Sequence, residues 1–173
     1  LYKLEEAIAA YTKTLSIKPD YAEGLTNYGF ILQKLRKYSL ASVQFEKVLK
    51  IQPFSDEASV NLSKCYFDEG RLSKSIEVAK KGLSLQPTNI PLLKNLIASL
   101  LLLNSFDEAA LECKKLLAIG KNDPDIVNLM GTILEKQGLY DQAKKHFLRA
   151  LELDNNFVLA KINIATLYQL EGE

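Results

Sequence analysis

The side chains that most often carry chemistry are scarce in this sequence. Among 173 residues there is one histidine, His146, and there are two cysteines, Cys65 and Cys113, and no tryptophan. A single imidazole cannot build a His-based metal site, and no Ser-His-Asp or Cys-His constellation can be assembled. His146 follows Lys144 and Lys145 and is expected to be a solvated surface residue. Neither a G-x-G-x-x-G run nor a phosphate-binding loop occurs. Carboxylate pairs such as Glu5-Glu6 and Asp107-Glu108 begin helices, where acid is expected anyway. No catalysis, cofactor or metal is therefore expected. What does recur is a primary amide. Asn27, Asn61, Asn95 and Asn163 stand on a 34-residue lattice whose remaining place is taken by Leu129. Asparagine is a poor residue for a helix interior, so its return asks for a reason. A primary amide has both donors and an acceptor and can pair with the N–H and C=O of an extended peptide without reading its side chains. Helices pack roughly 8–10 Å apart and an extended chain advances roughly 3.3 Å per residue. One amide would then meet about every third peptide residue.

Composition narrows the partner class. Lys plus Arg is 22 and Asp plus Glu is 21, a net charge of +1. That balance argues against nucleic-acid binding by phosphate neutralisation and against a polybasic membrane-surface module. The longest uncharged apolar run, Leu96 to Leu103, is eight residues. A membrane-spanning helix needs roughly 20, so no membrane insertion is expected. Hydrophobic residues make up 47% of the chain, enough for a core. The two cysteines fall on apolar helix faces and are expected to be buried, reduced thiols, which suits a cytoplasmic protein. The chain does not begin with Met, shows no signal peptide and is expected to be a piece of something longer.

The elements that position the amides follow from the same period. Pro19, Pro53 and Pro87 are 34 residues apart, and so are Ala7, Ala41, Ser75, Ala109 and Ala143. Tyr11, Phe45, Ala79, Cys113 and Phe147 share another column, and Tyr28, Leu62, Leu96, Met130 and Ile164 a third. With the prolines at position 32, complete units run 22–55, 56–89, 90–123 and 124–157. Residues 1–21 are the second helix of a truncated unit, and 158–173 are the first helix of another. Each unit reads as two helices. The first carries Leu25, Tyr28, Leu32 and Leu35 at helical spacing. The second carries Leu40, Val43, Val48 and Leu49 inside, with Gln44, Glu46, Lys47 and Lys50 outside. Gly70, Asn104, Gly138 and Gly172, at position 15, are expected to close first helices in the left-handed conformation. Asp20 with Glu23, and Ser105 with Glu108, have capping-box spacing. Small residues at positions 8 and 20 let paired helices approach, and large ones at 7, 11, 17 and 24 fill the space around them. One pair cannot bury its apolar faces alone, whereas stacked pairs can.

This all-α pattern resembles the tetratricopeptide repeat along the whole chain. Residues 22–55 carry its signature as Leu25, Tyr28-Gly29, Leu32, Ala41, Phe45, Val48 and Pro53. Residues 124–157 carry it as Val127, Met130-Gly131, Leu134, Ala143, Phe147 and Ala150, with Asn155 in place of Pro. The unit 90–123 departs most, with Ile97, Leu116 and Lys121 against the pattern, and local distortion is expected there. The resemblance implies a right-handed α-α superhelix, a solenoid of antiparallel helix pairs whose first helices line a concave groove. It also puts the asparagine column on the groove wall, where it is similar to the ladder in the repeat arm of O-linked N-acetylglucosamine transferases. Asparagine is also common at this place in repeats without such a role. Phe30, Phe67, Ala98, Leu101 and Leu102 fall at groove positions too, either as docking patches or as core filling. Glu23, Glu57 and Asp125 at position 2 are read as compensating helix dipoles. A carboxylate clamp of the kind some members use is absent. Lys94 suits it, but Ala98 and Leu129 stand where its asparagines belong.

The expected function is a non-enzymatic scaffold that holds an extended protein or peptide segment through Asn27, Asn61, Asn95, Asn163, Phe30, Phe67 and Leu101. Replacing the four asparagines by alanine is expected to weaken binding with little change in melting. The alternative is the substrate-recognition arm of a larger enzyme such as a glycosyltransferase. Self-association is a third expectation, because Ile164, Leu167 and Tyr168 lie on a first helix with no second helix to cover it.

Overall fold

The computed structural model describes residues 2–171, and the side chains of residues 4–169. These residues form ten helices and no strand: α1 (Tyr2–Ile17), α2 (Ala22–Lys34), α3 (Tyr38–Ile51), α4 (Asp56–Asp68), α5 (Leu72–Leu85), α6 (Ile90–Leu102), α7 (Phe106–Ile119), α8 (Pro124–Lys136), α9 (Tyr140–Leu153) and α10 (Val158–Glu171). The chain forms two compact units, 1–99 and 100–173. The division falls inside α6, in the stretch that departs most from the repeat pattern.

In the first unit α1 to α5 pack consecutively against one another, and in the second α7 to α10 do the same. In the first, Leu25, Val48 and Ala58 form one buried cluster, and Leu32, Ala41, Phe45, Leu62, Cys65 and Tyr66 form another. The close approach within a pair comes from a missing side chain. A Cβ built on Gly29 would lie 2.7 Å from Phe45 Cζ, and one on Gly131 would lie 2.5 Å from Phe147 Cε1. In 56–89 Ser63 takes the glycine's place, and the hydroxyl of Ser75, from the Ala41 column, donates to the Ser63 carbonyl at 2.8 Å. Both serines are fully buried, and that bond satisfies groups that would otherwise be stranded.

The turns inside the hairpins are uniform. Arg36, Gly70, Asn104 and Gly138 all have positive φ, at 56°, 75°, 56° and 76°. The next N–H reaches back five residues, from Lys37 to Leu32, Arg71 to Tyr66, Ser105 to Leu100 and Leu139 to Leu134. That is the Schellman closure. The expected glycine and asparagine positions are found there, and Gly172 lies outside the described residues. Arg36 is the member that residue type did not announce.

Three expectations are corrected. The capping boxes do not form. Tyr21, not Asp20, precedes α2 and makes no side-chain cap, while its hydroxyl donates to Glu23 Oε2 at 3.1 Å. Ser105 makes no side-chain cap either, and its N–H is already committed to Leu100. The side-chain caps lie instead at the last place of three units. Ser55 accepts from Ala58 N–H, Asn89 from Leu92 N–H, and Asp123 from Asp125 and Ile126 N–H. The inward stripe of α3 is Ala41, Phe45 and Val48, so Leu40 and Val43 turn to solvent and Gln44 is buried. On α10, Leu167 is 1% exposed and packs inward, whereas Tyr168 is 55% exposed.

His146 is also not a freely solvated residue. It is half-buried on α9, beside a cavity of about 650 Å³ lined by Asp107, Lys114, Met130 and Leu134. Burial holds its pKa below the usual histidine value of 6.5.

Two outcomes follow for stability. Arg36→Gly removes a left-handed strain of roughly 1 kcal/mol and should raise the denaturation midpoint, with the far-UV circular dichroism unchanged. For His146 the unfolded chain takes up the proton first, so stability is full above about pH 6.5 and falls as the pH drops toward the depressed native value. Urea titrations at a series of pH values should show this decline between neutral and mildly acid pH in the wild type, and a flatter profile in His146→Gln.

Candidate functional site

The expected site residues lie on first helices. In the first unit, Asn27, Asn61 and Asn95 are half-buried on α2, α4 and α6. Their amides are not equally committed. Asn27 has no hydrogen-bond partner among the described residues. Asn61 Nδ2 donates to the Glu57 carbonyl at 2.7 Å, one turn back on its own helix. Asn95 Nδ2 donates across the helix pair, to the Val60 carbonyl at 3.1 Å and to Ser63 Oγ at 2.7 Å. In the second unit, Asn163 Nδ2 on α10 donates to Asn128 Oδ1 on α8 at 3.0 Å. Asn95 and Asn163 therefore make the same move, from one first helix to the fifth place of the preceding one. No Oδ1 of the four accepts a hydrogen bond among the described residues. The amides of Asn95 and Asn163 tie neighbouring helices together, so alanine there is expected to lower the melting temperature, whereas at Asn27 and Asn61 little change is expected.

The apolar candidates divide as well. Phe30 stands edge-to-face on Phe45, with ring centroids 5.8 Å apart, and packs against the core. Phe67 and Ala98 in the first unit, and Leu101 in the second, are half-buried, and Leu102 is 60% exposed. Of the acidic column, Glu23 accepts from Tyr21, and the Glu57 main chain accepts from Asn61.

Residue type alone missed the polar network behind the column. Ser99 Oγ lies 2.9 Å from Ser75 Oγ and 2.8 Å from the Asn95 carbonyl. Gln33 Nε2 reaches Cys65 Sγ at 3.2 Å and the Asn61 carbonyl at 3.4 Å. Asn128 is the signal that was available. The lattice gap at Leu129 has an asparagine one residue upstream, and that residue is 8% exposed and bonded.

The remaining chemistry is quiet. Cys65 and Cys113 are buried free thiols, and burial pushes both up to about 12. Thiols so protonated are poor nucleophiles. Tyr66 is raised too, first by burial and then by its hydrogen bond to Glu46. These two residues line a cavity of about 340 Å³ with Leu49, Glu77, Val78 and Leu85, and none of the asparagines borders it. No group of three or more His, Cys, Asp or Glu among the described residues could hold a metal ion. No helix there is long and apolar enough to cross a membrane.

Comparison with known proteins places this geometry. Profiles of the tetratricopeptide repeat match residues 22–55, 56–89 and 124–157, together more than half of the chain. Superkiller protein 3 of Schizosaccharomyces pombe is 24% identical over 98% of this chain, which spans 13% of that protein's length. Among solved structures, MamA superposes with a TM-score of 0.83 at 23% identity, covering 88% of this chain and 84% of that one. YrrB, described as a TPR protein with an unusual peptide-binding site, superposes with a TM-score of 0.75 at 20% identity, covering 94% of this chain and 84% of that one. Stacked helical hairpins of one period, closed by one type of turn and matched in phase by these profiles, make the chain a member of the tetratricopeptide repeat family.

Proposed function

We propose that the chain is a non-enzymatic, cytosolic protein-interaction scaffold that holds an extended segment of a partner protein against its first helices. The observation that carries this reading is the row Asn27, Asn61 and Asn95 in the first unit, half-exposed on successive first helices with every Oδ1 left over. Phe67 beside the row offers apolar contact, and Asn163 and Leu101 repeat the theme in the second unit. The peptide-binding site in the description of YrrB is in keeping with it. The partners are proteins or peptides, and neither nucleic acid nor a membrane is part of the reading.

The spare acceptors make the guest's backbone N–H groups the natural counterpart. They also constrain its shape. A β-strand turns alternate N–H groups to opposite sides, so a contact at every third residue would change sides each time. A polyproline II segment has three residues per turn and a rise of roughly 3.1 Å per residue. It turns the same side inward every 9 Å or so, which fits first helices roughly 8–10 Å apart. The guest segment is therefore read as polyproline II rather than β.

The test uses a decapeptide selected for binding from a random library. Asn27→Ala with Asn61→Ala removes two acceptors that tie no helices together. At about 1 kcal/mol each, their loss should weaken binding roughly thirtyfold with the melting temperature within a degree or two of wild type. N-methylation of the contacted peptide nitrogens should match that loss, and proline between the contacts should tighten binding. Affinity unmoved by both the alanines and the N-methyl groups would remove the amide row from the binding site.

A further inference from the structure

In the second unit the cavity of about 650 Å³ lies between two successive second helices, α7 and α9. Its floor is Met130 and Leu134 of α8, both buried. Asp107, Leu111, Lys114 and Leu117 line it from α7, and Leu139, Gln142 and His146 from the α9 side. Leu111 and Leu139 are 56% and 41% exposed, so apolar surface stands open to water there. A concave, largely apolar cavity of this size with a few polar groups suits a small molecule.

The first unit shows what fills the matching groove. On the 34-residue lattice Leu134 stands at the place of Tyr66, Lys114 at that of Glu46, and His146 at that of Val78. Tyr66 spans from α4 to α3, where its hydroxyl donates to Glu46 Oε1. The Arg71 guanidinium lies over the same ring, 4.6 Å from its centroid. The second unit has Leu139 at that place. Neither the ring nor the planar cation stacked on it is therefore present between α7 and α9. The first unit has two separate cavities, one bordered by Leu62 and Val78 and the other by Ser39 and Glu69. The counterparts of all four residues, Met130, His146, Asp107 and Gln137, border one continuous cavity in the second.

The charges set the polarity of a guest. Asp107 Oδ1 already accepts from Gln137 Nε2 at 2.7 Å. Lys114 lies two turns further along α7, roughly 10 Å away. It has no ion pair among the described residues. His146 stands at place 23 of its unit, nearer the place 25 of Lys114 than the place 18 of Asp107. We infer that this cavity binds a small aromatic carboxylate, with its ring on Met130 and Leu134 and its carboxylate toward Lys114 and His146. The thioether of Met130 favours an aromatic neighbour. The guest supplies the planar group that Tyr66 and Arg71 supply in the first unit, and an anion meets Lys114 where a hydroxyl meets Glu46. None of Asn27, Asn61, Asn95, Asn163, Phe67 and Leu101 borders the cavity, so this site and the peptide reading stand or fall separately.

The chain has one methionine and one histidine, and both line the cavity. The Met130 methyl and the His146 ring therefore each give a single set of NMR signals. Titrating the 173-residue chain with 2-naphthoate should move both along saturating curves, with a Kd on the order of 1 mM or tighter. 2-Naphthylmethanol keeps the rings without the charge and should bind about fivefold more weakly. Lys114→Ala should weaken naphthoate by a similar factor and leave the alcohol unchanged. Lys114 is exposed, so the melting temperature should not move. Leu134→Tyr places a ring where the first unit has one, and should abolish naphthoate binding with helicity retained. Should that variant unfold, the Lys114→Ala comparison decides alone. Shifts that do not saturate, an alcohol that binds as well as the acid, full naphthoate affinity in Lys114→Ala, or binding that survives in folded Leu134→Tyr would each overturn the proposal. So would Met130 shifts caused by the selected decapeptide with none caused by naphthoate, which would mark a protein-docking groove instead.

Discussion

A phenyl ring seated against a helix backbone where no side chain stands is the contact on which each unit depends. Phe45 over Gly29 and Phe147 over Gly131 bring the two helices of a hairpin close enough for one short turn to join them. The ring has no room to retreat, because both phenylalanines are fully buried. The same two sequence columns carry different residues elsewhere. In 56–89 the two columns hold Ser63 and Ala79, and in 90–123 they hold Ile97 and Cys113, so the larger residue changes place. The 34-residue period thus survives strong variation in residue size at these columns.

The turn is the second constraint, and it acts on the backbone alone. Four successive hairpins close with a left-handed residue, although only two of these residues are glycine. Arg36 and Asn104 accept the strained conformation because the five-residue return bond fixes the chain on either side. The architecture therefore demands a conformation at this place, and residue type follows it incompletely.

This explains what was legible in the sequence and what was not. The ten helices, their pairing and their family follow from columns such as Tyr28, Leu62 and Met130, because burial acts on size class at a fixed period. The finer phase of α3 did not follow. Leu40 and Val43 are apolar yet exposed, and Gln44 is polar yet buried, so hydrophobicity alone put the stripe about one residue off. The caps were misplaced for a related reason. Asp20 and Ser105 have the right types and spacing, but the N–H that a box would use is taken elsewhere, or the helix starts one residue later. Half-burial of His146 was invisible because it depends on α7 and α8 closing around a side chain whose sequence neighbours are lysines.

The asparagine column shows why a recurring polar residue resists a single reading. At Asn95 and Asn163 the amide nitrogen ties one first helix to the one before it, while the oxygen remains free. At Asn27 the amide has no partner among the described residues, and at Asn61 the nitrogen is spent within its own turn. The same side chain thus serves cohesion through its donor, and its acceptor is the group that the proposed function assigns to a guest. A column that ties helices at Asn95 and Asn163 cannot be altered everywhere without loosening the stack, whereas Asn27 and Asn61 can be changed with little effect on it. The substitution of Leu129 for the expected amide fits that division. Asn128, one residue earlier, supplies the tie to Asn163 from inside the stack. Cohesion is kept at that place, and the next residue, Leu129, is apolar.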